Sequence, residues 1–276
     1  MTDAYYELVD ADDPLGERFS ASDHVISTWS ADMQNAAPVS ALLVRALERY
    51  APRPDTRLSR VVVDLLGPVP VTDQLWVRAH LRRPGAKIEL LDAEMLAPGP
   101  DGAPRPVAVA SAWRFGHHDT DELFFTPEAP LRPLAEGRPR FPDDDVNQAT
   151  NQTYIQSLDW RWLNDILNSI PAECWARPLV DLVVGEPLTP MQRLFTVADI
   201  ANGMGSRLSV GEWLFLNTDL VVHIHRVPEG DWVGVRAETH YGSDGVGVSR
   251  GTLFDALGSV AVLQQAQLVR RRLVIP

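Results

Sequence analysis

Asp199 lies in an apolar, helix-like stretch, LFTVADIANGMGSRL (194–208), with Asn202 almost one helical turn later. A carboxylate among residues such as Leu194 and Val197 is costly to bury unless it is hydrogen-bonded, and at its ordinary pKa it is charged at neutral pH. From the residues alone, three interpretations stay open: a solvated helix face, a capping group, or a functional carboxylate. The third would suit general-base chemistry, in which a carboxylate takes a proton from an attacking water.

Two other motifs resemble catalytic or cofactor-binding sequences but lack the required context. GVSRG (247–251) matches the nucleophile elbow of serine hydrolases, which needs a strand-to-helix turn and a later histidine. Here Ser249 lies in a predicted antiparallel strand, and no histidine follows His240. GMGSRL (203–208) lacks the third glycine of a dinucleotide loop and ends a helix instead of opening one. Neither a serine hydrolase nor a dinucleotide-binding protein is predicted.

His223 and His225 project from one face of a predicted strand, because side chains two positions apart share a face. Asp219 could complete a metal site there, but outward polar residues of a half-buried strand are the interpretation we favour. Cys174 is the only cysteine, so cysteine-based zinc sites and internal disulfides are excluded. We expect no metal and no bound cofactor.

The composition also restricts the partners and the location of the protein. The chain has 276 residues, 45% of them hydrophobic, and a net charge of −12. Such an acidic chain is a poor candidate for nucleic-acid binding, which depends on neutralising phosphates. The first thirty residues lack the features of a signal peptide, and no apolar run approaches the ~18 residues of a membrane span. We therefore expect a cytoplasmic protein with no membrane span.

An internal repeat indicates how the chain is organised. VVVDLLGPVPVTDQLWVRAHL (61–81) and DLVVHIHRVPEGDWVGVRAET (219–239) align without a gap, at an offset of 158 residues. A helix-like segment precedes each window, at 37–50 and at 189–205, where Thr189 is a plausible N-cap. Two β-like runs follow each window, at 86–96 and 105–115 in the first copy and at 246–255 and 258–271 in the second.

Each half is therefore predicted to be a helix followed by a long antiparallel meander, which is an α+β fold. Residues 117–148 are rich in proline and charge, as is typical of a linker. The acidic run at 139–146 is predicted to be a solvated loop, and LDWRWLND (158–165) to be a short helical segment.

Nearly the whole chain resembles the TesB-like, type II acyl-CoA thioesterases. The strings that carry the resemblance are SALLVRALER and LLGPVPVTDQLWVRAHLRRPGAKIELLDAEML in the first half, and LTPMQRLFTVADIANGMGS, NTDLVVHIHRVPEGDWVGVRAET and VLQQAQLV in the second. The resemblance implies a double hotdog, in which two helices are each wrapped by a curved sheet. We assign residues 1–116 to an N-terminal hotdog, 117–174 to a linker with a short helical segment, and 175–276 to a C-terminal hotdog that carries the active site.

The resemblance also implies hydrolysis of an acyl-CoA to a free acid and CoA by a water that an aspartate, a strand residue and a glutamine hold. Carried over by position, the aspartate is Asp199 and the glutamine is Gln265. Alignment puts Asn217 at the strand position, where the family has a threonine, while strand alternation lends some support to Thr218. Acyl-CoA is the implied substrate, and a homo-oligomer of double hotdogs is a further option.

Cations are needed for the phosphates of CoA, and Arg236, Arg250 and the arginines at 270–272 are the candidates. Many relatives have a glycine pair before the first helix, where this chain has Ala36 and Ala37. A methyl group there can block close approach to a ligand, so we expect a first-half pocket that is reshaped or unused.

Two alternatives to hydrolysis remain. One is a non-catalytic acyl-CoA-binding hotdog protein, which the altered strand position and the alanine pair leave open. The other is a hotdog hydratase or dehydratase, which the absence of a histidine beside Asp199 on its helix disfavours.

Overall fold

The computed structural model describes residues 3–139, 153–165 and 168–272. The first half contains β1 (Ala4–Asp10), β2 (Glu17–Ala21), α1 (Ala36–Arg49), β3 (Thr56–Leu65), β4 (Leu75–Arg83), β5 (Ile88–Pro98) and β6 (Pro104–Gly116). The remainder contains α2 (Thr153–Gln156), β7 (Leu158–Trp162), β8 (Ala172–Pro178), β9 (Asp181–Val183), α3 (Pro190–Ala198), α4 (Ala201–Met204), β10 (Trp213–Asn217), β11 (Asp219–Ile224), β12 (Val233–Tyr241), β13 (Val246–Asp255) and β14 (Gly258–Arg271).

One continuous sheet joins the two halves. Its strand order among the described residues is β7-β8-β12-β13-β14-β11-β3-β6-β5-β4-β2-β1-β9, and β10 pairs with β14 beside this path. The junction is the antiparallel pair of β3 and β11, in which Val62 faces Val221. The order within one half, β1-β2-β4-β5-β6-β3, is repeated in the other as β7-β8-β12-β13-β14-β11. The predicted repeat is therefore a repeat of topology, and the fold is a double hotdog.

The repeat offset is kept in the strands themselves, since β4 and β12 begin and end 158 residues apart. Helices α1 and α3 pack against each other and against the sheet, and both bury most of their length. The side chains from Ala37 to Leu47 are all buried in α1. Thr189 is the N-cap of α3, as predicted, and it forms a capping box with Gln192.

Two parts of the second half differ from the sequence-based expectation. The segment LDWRWLND was predicted to be helical, but it begins with strand β7. In this strand Leu158, Trp160 and Trp162 are buried, at a spacing of two. This spacing is the period of a strand with one buried face, so the sheet of the second half begins inside the segment expected to be a linker. The helix expected over 189–205 is divided into α3 and α4, with Asp199 as the C-cap of α3.

The described part of the segment after β6 contains two short 3-10 helices, Asp121–Leu123 and Leu134–Glu136. Apart from Pro139, the acidic run at 139–146 lies outside the described residues. No helix of the described chain is long and apolar enough to cross a membrane.

Candidate active site

Asp199 is buried between the end of α3 and the sheet, and its side chain is only 4% exposed. Strand β14 passes beneath it, and Gln265 on this strand donates Nε2–H to Asp199 Oδ1 at 2.8 Å. Asn217, the last residue of β10, donates Nδ2–H to the same oxygen at 2.7 Å. The structure thus brings together Asp199, Asn217 and Gln265, the three residues that the resemblance named.

The environment of Asp199 changes its acid–base properties. Burial raises the pKa of its carboxyl group from 3.8 to about 7, and the nearby Asp219 carboxylate adds to the increase. The hydrogen bonds from Asn217 and Gln265 oppose the increase because they favour the charged form. A carboxyl group with a pKa near neutrality can both lose and accept a proton under physiological conditions, as a general base must.

Gln265 has a buried oxygen that nothing in the described chain satisfies. Its side chain is fully buried, its Nε2 is bound to Asp199, and its Oε1 has no hydrogen-bond partner. Leaving a buried carbonyl oxygen unpaired costs on the order of 1–3 kcal/mol, so a donor such as water or a ligand is expected there. The unpaired oxygen belongs to the same amide group that holds Asp199.

Thr218 does not contact the Asp199 carboxylate. It lies at a bend between β10 and β11 and is exposed, whereas Leu220 and Val222 are buried. The strand alternation that supported Thr218 therefore does not extend to it, because the bend at Thr218 interrupts the strand. Its backbone bridges the strands instead: Thr218 N–H donates to Ala266 O, and its carbonyl accepts from Leu65 N–H.

Asn202, which the sequence did not assign to the site, orients Asn217. Its Nδ2–H donates to Asn217 Oδ1 at 2.9 Å, so the amide nitrogen of Asn217 is directed toward Asp199. The division of the predicted helix at Asp199 and Ile200 puts Asn202 on the short helix α4. A continuous helix was the sequence-based expectation, so this contact could not have been read from spacing.

A cavity of about 470 Å³ opens beside Asp199. Both halves and the segment between them line it. The lining includes Trp29, Met33, Asn35, Ala36, Val69, Tyr154, Trp160, Trp162, Asp199, Asn202, Met204, Arg207, Phe215, Asn217 and Thr218. Most of these side chains are aromatic or aliphatic, and Asn202 and Asn217 form a hydrogen-bonded chain that ends at the carboxylate, which is the arrangement of a site for an apolar ligand with one reactive group.

The first half contributes a wall to this cavity but no second copy of the polar site. Counted from the N-caps Asn35 and Thr189, Arg45 has the same position in α1 that Asp199 has after α3. Arg45 is buried and bonds to Glu17 and Glu186, each at 2.7 Å.

The glutamine of the polar site is also replaced in the first half. Gln265 faces Ser249 in the second half. The repeat offset puts Leu91 at the position of Ser249, and Leu91 faces Ala112. The counterparts of Asp199 and Gln265 are therefore Arg45 and Ala112, which cannot activate water.

Arg236 and Arg250 do not lie at this cavity. They line a separate groove on the other face of the sheet, together with His223 and Gln264. Arg236 is bound to Glu173 at 2.7 Å, and Arg250 is bound to Glu238. Neighbouring residues of a strand point to opposite faces. The exposed Gln264 therefore lies on the face of this groove, and the buried Gln265 lies on the face of Asp199.

Ser249 of GVSRG and His225 of the possible metal site form hydrogen bonds within the fold. Ser249 is buried in the antiparallel strand β13 and bonds to Thr239 and Gln267. His225 bonds to the backbone oxygen of Ser259 at 2.9 Å. Among the described residues no three metal-binding side chains form a cluster.

Two family models match the chain and together cover most of it. The acyl-CoA thioesterase N-terminal domain matches residues 25–115, and the acyl-CoA thioesterase C-terminal domain matches residues 128–269. The C-terminal match begins before β7, in agreement with the strand order. No curated protein matches the chain by sequence.

Several solved structures share the fold at low sequence identity. A candidate thioesterase II from Thermobifida fusca is 17% identical with a TM-score of 0.73, covering 98% of each chain. A hot dog fold protein of unknown function from Alicyclobacillus acidocaldarius is 13% identical with a TM-score of 0.71, covering 93% of this chain and 94% of that one. An acyl-CoA thioesterase II from Mycobacterium marinum is 14% identical with a TM-score of 0.63, covering 99% and 98%.

Proposed function

Since this chain belongs to the acyl-CoA thioesterase family, and therefore hydrolyses acyl-CoA to a free acid and CoA, we propose that Asp199, Gln265 and Asn217 activate the attacking water. The observation that carries the proposal is the buried Asp199 carboxyl group, whose pKa is raised to about 7. Beside it stands Gln265 Oε1, which has no partner in the described chain.

The water has two acceptors in this arrangement. Asp199 Oδ1 already accepts from both amides, so Oδ2 is the oxygen assigned to the water. Gln265 Oε1 accepts the second proton of the same water, which directs a lone pair of its oxygen toward the cavity. The water oxygen bonds to the thioester carbon as its proton passes to Asp199, and the C–S bond then breaks to release the CoA thiolate. That thiolate takes the proton from Asp199, which returns to its charged form.

The carbonyl oxygen of the thioester needs a hydrogen-bond donor as negative charge develops on it. We assign this role to the backbone N–H of Ala36, in the first turn of α1, because Ala36 lines the cavity and a helix N-terminus favours an anion. One such donor typically contributes about 10²–10³ in rate. In this assignment the first half takes part in the reaction through its backbone.

A metal or cofactor is not needed in this scheme, since a thioester is already activated toward water. Activity that survives exhaustive dialysis against a chelator would agree with this, and activity restored only by added metal would contradict it. We also propose a cytoplasmic location, which a single buried cysteine suits. Assembly into a homo-oligomer stays a prediction from the resemblance.

The decisive experiment compares thiol release from a panel of acyl-CoAs by the wild type and by Asp199→Asn. We expect turnover by the wild type and a loss of about 10²–10⁴ in kcat for the variant, with substrate binding retained. Equal turnover in both proteins would move the chemistry away from Asp199. Binding without turnover in the wild type would instead favour the acyl-CoA-binding alternative.

A further inference from the structure

One arginine lines the cavity that holds Asp199, and two more stack on aromatic rings of the neighbouring elements. Arg207 follows α4, lines the cavity and is exposed, so it lies where the cavity meets solvent. Arg272 has its guanidinium 5.5 Å from the ring centre of Trp29, which is itself a lining residue. Arg271 lies 5.0 Å from the ring centre of Trp213.

Local contacts hold these residues in one region. The turn from Ser209 to Trp213 is closed by a hydrogen bond from Trp213 N–H to Ser209 O at 3.0 Å, which brings Trp213 close to the chain segment that starts at Arg207. Arg272 N–H donates to Glu212 O in the same turn at 2.8 Å. The rings of Trp29 and Phe215 meet edge to face at 4.9 Å, which joins the first half to β10 at this point.

The three guanidinium groups make no ion pair with any carboxylate of the described chain. Arg236 and Arg250, in contrast, are each bound to a glutamate. In a protein with a net charge of −12, an unneutralised group of cations is a local exception. Arginine stacked on an aromatic face keeps its N–H groups free for an anion in the ring plane of the guanidinium.

We propose that Arg207, Arg271 and Arg272 form the subsite for the phosphate groups of CoA, a proposal that rests on the function given above. CoA carries a diphosphate and a 3′-phosphate, so an acidic protein must offset repulsion where this part of the substrate enters. Arginine suits phosphate because its planar fork makes paired hydrogen bonds. This assignment replaces Arg236 and Arg250, which lie on the other face of the sheet.

The test compares two substrates that share one acyl group, an acyl-CoA and the corresponding acyl-pantetheine, which has no phosphate. Arg207→Gln, Arg271→Gln and Arg272→Gln are each expected to raise KM for the acyl-CoA about tenfold, the loss of one charge-assisted contact. The values of kcat, and KM for acyl-pantetheine, should change much less than KM for the acyl-CoA, since Asp199 is held by Asn217 and Gln265 and not by any of the three arginines. Arg105→Gln, at an exposed position near the start of β6, is the matched control and should leave both substrates unaffected.

Salt provides a second readout. KM for the acyl-CoA should rise with ionic strength in the wild type, because screening weakens exposed charge pairs. It should become nearly independent of salt in the triple variant, which carries all three substitutions together. The proposal is overturned if KM for the acyl-CoA is unchanged in the triple variant. It is also overturned if KM rises equally for acyl-pantetheine, since the arginines would then shape the cavity and not bind phosphate.

Calorimetry separates this proposal from the proposed hydrolysis. CoA alone, titrated into the wild type and the three variants, measures phosphate binding without any turnover. Weaker binding of CoA but unchanged binding of pantetheine in the variants supports the subsite even if no thioester is hydrolysed. Equal binding of CoA by all four proteins refutes it even if hydrolysis is observed.

Discussion

Gln265 Nε2 lies 2.8 Å from Asp199 Oδ1, while the oxygen of the same amide is buried without a partner. One side chain therefore fixes the carboxylate and presents an empty acceptor next to it. The side-chain amide of Asn217 donates a hydrogen bond to the same carboxylate oxygen. The second carboxylate oxygen therefore stays available for the reaction. This relationship makes several consequences measurable.

The pH dependence of hydrolysis should follow the Asp199 carboxyl group. A general base works only when it is deprotonated, so kcat/KM should rise with pH through about 7, the value to which burial raises this pKa. Gln265→Met and Asn217→Leu each remove a hydrogen bond that lowers the pKa, so both should move the rising limb to higher pH. Initial rates measured from pH 5 to pH 9 test this. A limb that stays in place in both variants would mean that another group titrates.

Stability should depend on pH through the same group, with a sign that can be worked out. The folded-state pKa of Asp199 is raised above its unfolded value of 3.8, so the native state binds more protons between about pH 4 and pH 7 and loses stability as pH rises through this window. The cost is fully present above pH 7 and absent below pH 4. Asp199→Asn removes this cost. Between pH 4 and pH 8, the free energy of unfolding of the variant should therefore increase relative to that of the wild type by on the order of 4 kcal/mol.

Urea unfolding of both proteins at the two pH values gives the measurement. Asp73→Asn is the matched control, because Asp73 is exposed. A stability difference between wild type and Asp199→Asn that is the same at both pH values would show that the carboxyl group titrates alike in the folded and unfolded chains.

Asn217 and Thr218 should differ sharply although they are neighbours. Asn217 donates to Asp199 at 2.7 Å, whereas Thr218 is exposed at the bend between two strands. Asn217→Ala should lower kcat by about 10²-fold, as loss of a hydrogen bond to a charged group in the transition state predicts, and Thr218→Ala should change it less than about twofold. Thiol release under saturating substrate distinguishes them, and the reverse order would assign the strand position to Thr218.

Arg45 should matter for folding and not for turnover. It is 1% exposed and bonds to both Glu17 and Glu186, so Arg45→Ala leaves Glu17 without its cation and Glu186 with only Arg49, at 3.5 Å. Breaking a buried ion pair in this way costs about 3–5 kcal/mol. Thermal unfolding should show a large loss, while kcat per folded molecule should be nearly unchanged. Arg105→Ala, an exposed control, should lie within about 0.5 kcal/mol of the wild type.

The sequence predicted the parts of the fold that depend on local pattern. The offset of 158 residues located two copies of a meander, and Thr189 marked the start of a helix that the structure begins at Pro190. The first strands of each half were missed. In the second half, the tryptophans of β7 look like helix-packing residues until the period of two in their burial is known.

The resemblance named residues that the structure brings into contact, but the sequence did not indicate how they are arranged. Asp199 and Gln265 came from the resemblance, and the choice between Asn217 and Thr218 depended on a bend that no local pattern indicates. Arg207 carries no sequence signal of its own, because only the fold brings it to the same cavity as Trp29. Arg236 and Arg250 line a different groove from the one at Asp199, which their position in the sequence does not indicate.

The contact between α1 and the start of α3 bears on how the protein could be altered. Glu48, on α1, accepts from Thr189 Oγ1 at 2.8 Å and from Gln192 Nε2 at 2.9 Å, so a carboxylate of the protein already occupies the end of α3 that corresponds to the cavity-lining end of α1. Asp199 and both amides that hold it belong to the second half, and the first half contributes the start of α1 and a wall of the cavity. Restoring an aspartate and a glutamine to the first half would therefore not be enough for a second working site, because the start of α3 has Pro190 at the position of Ala36 and proline has no backbone N–H to donate to a substrate carbonyl.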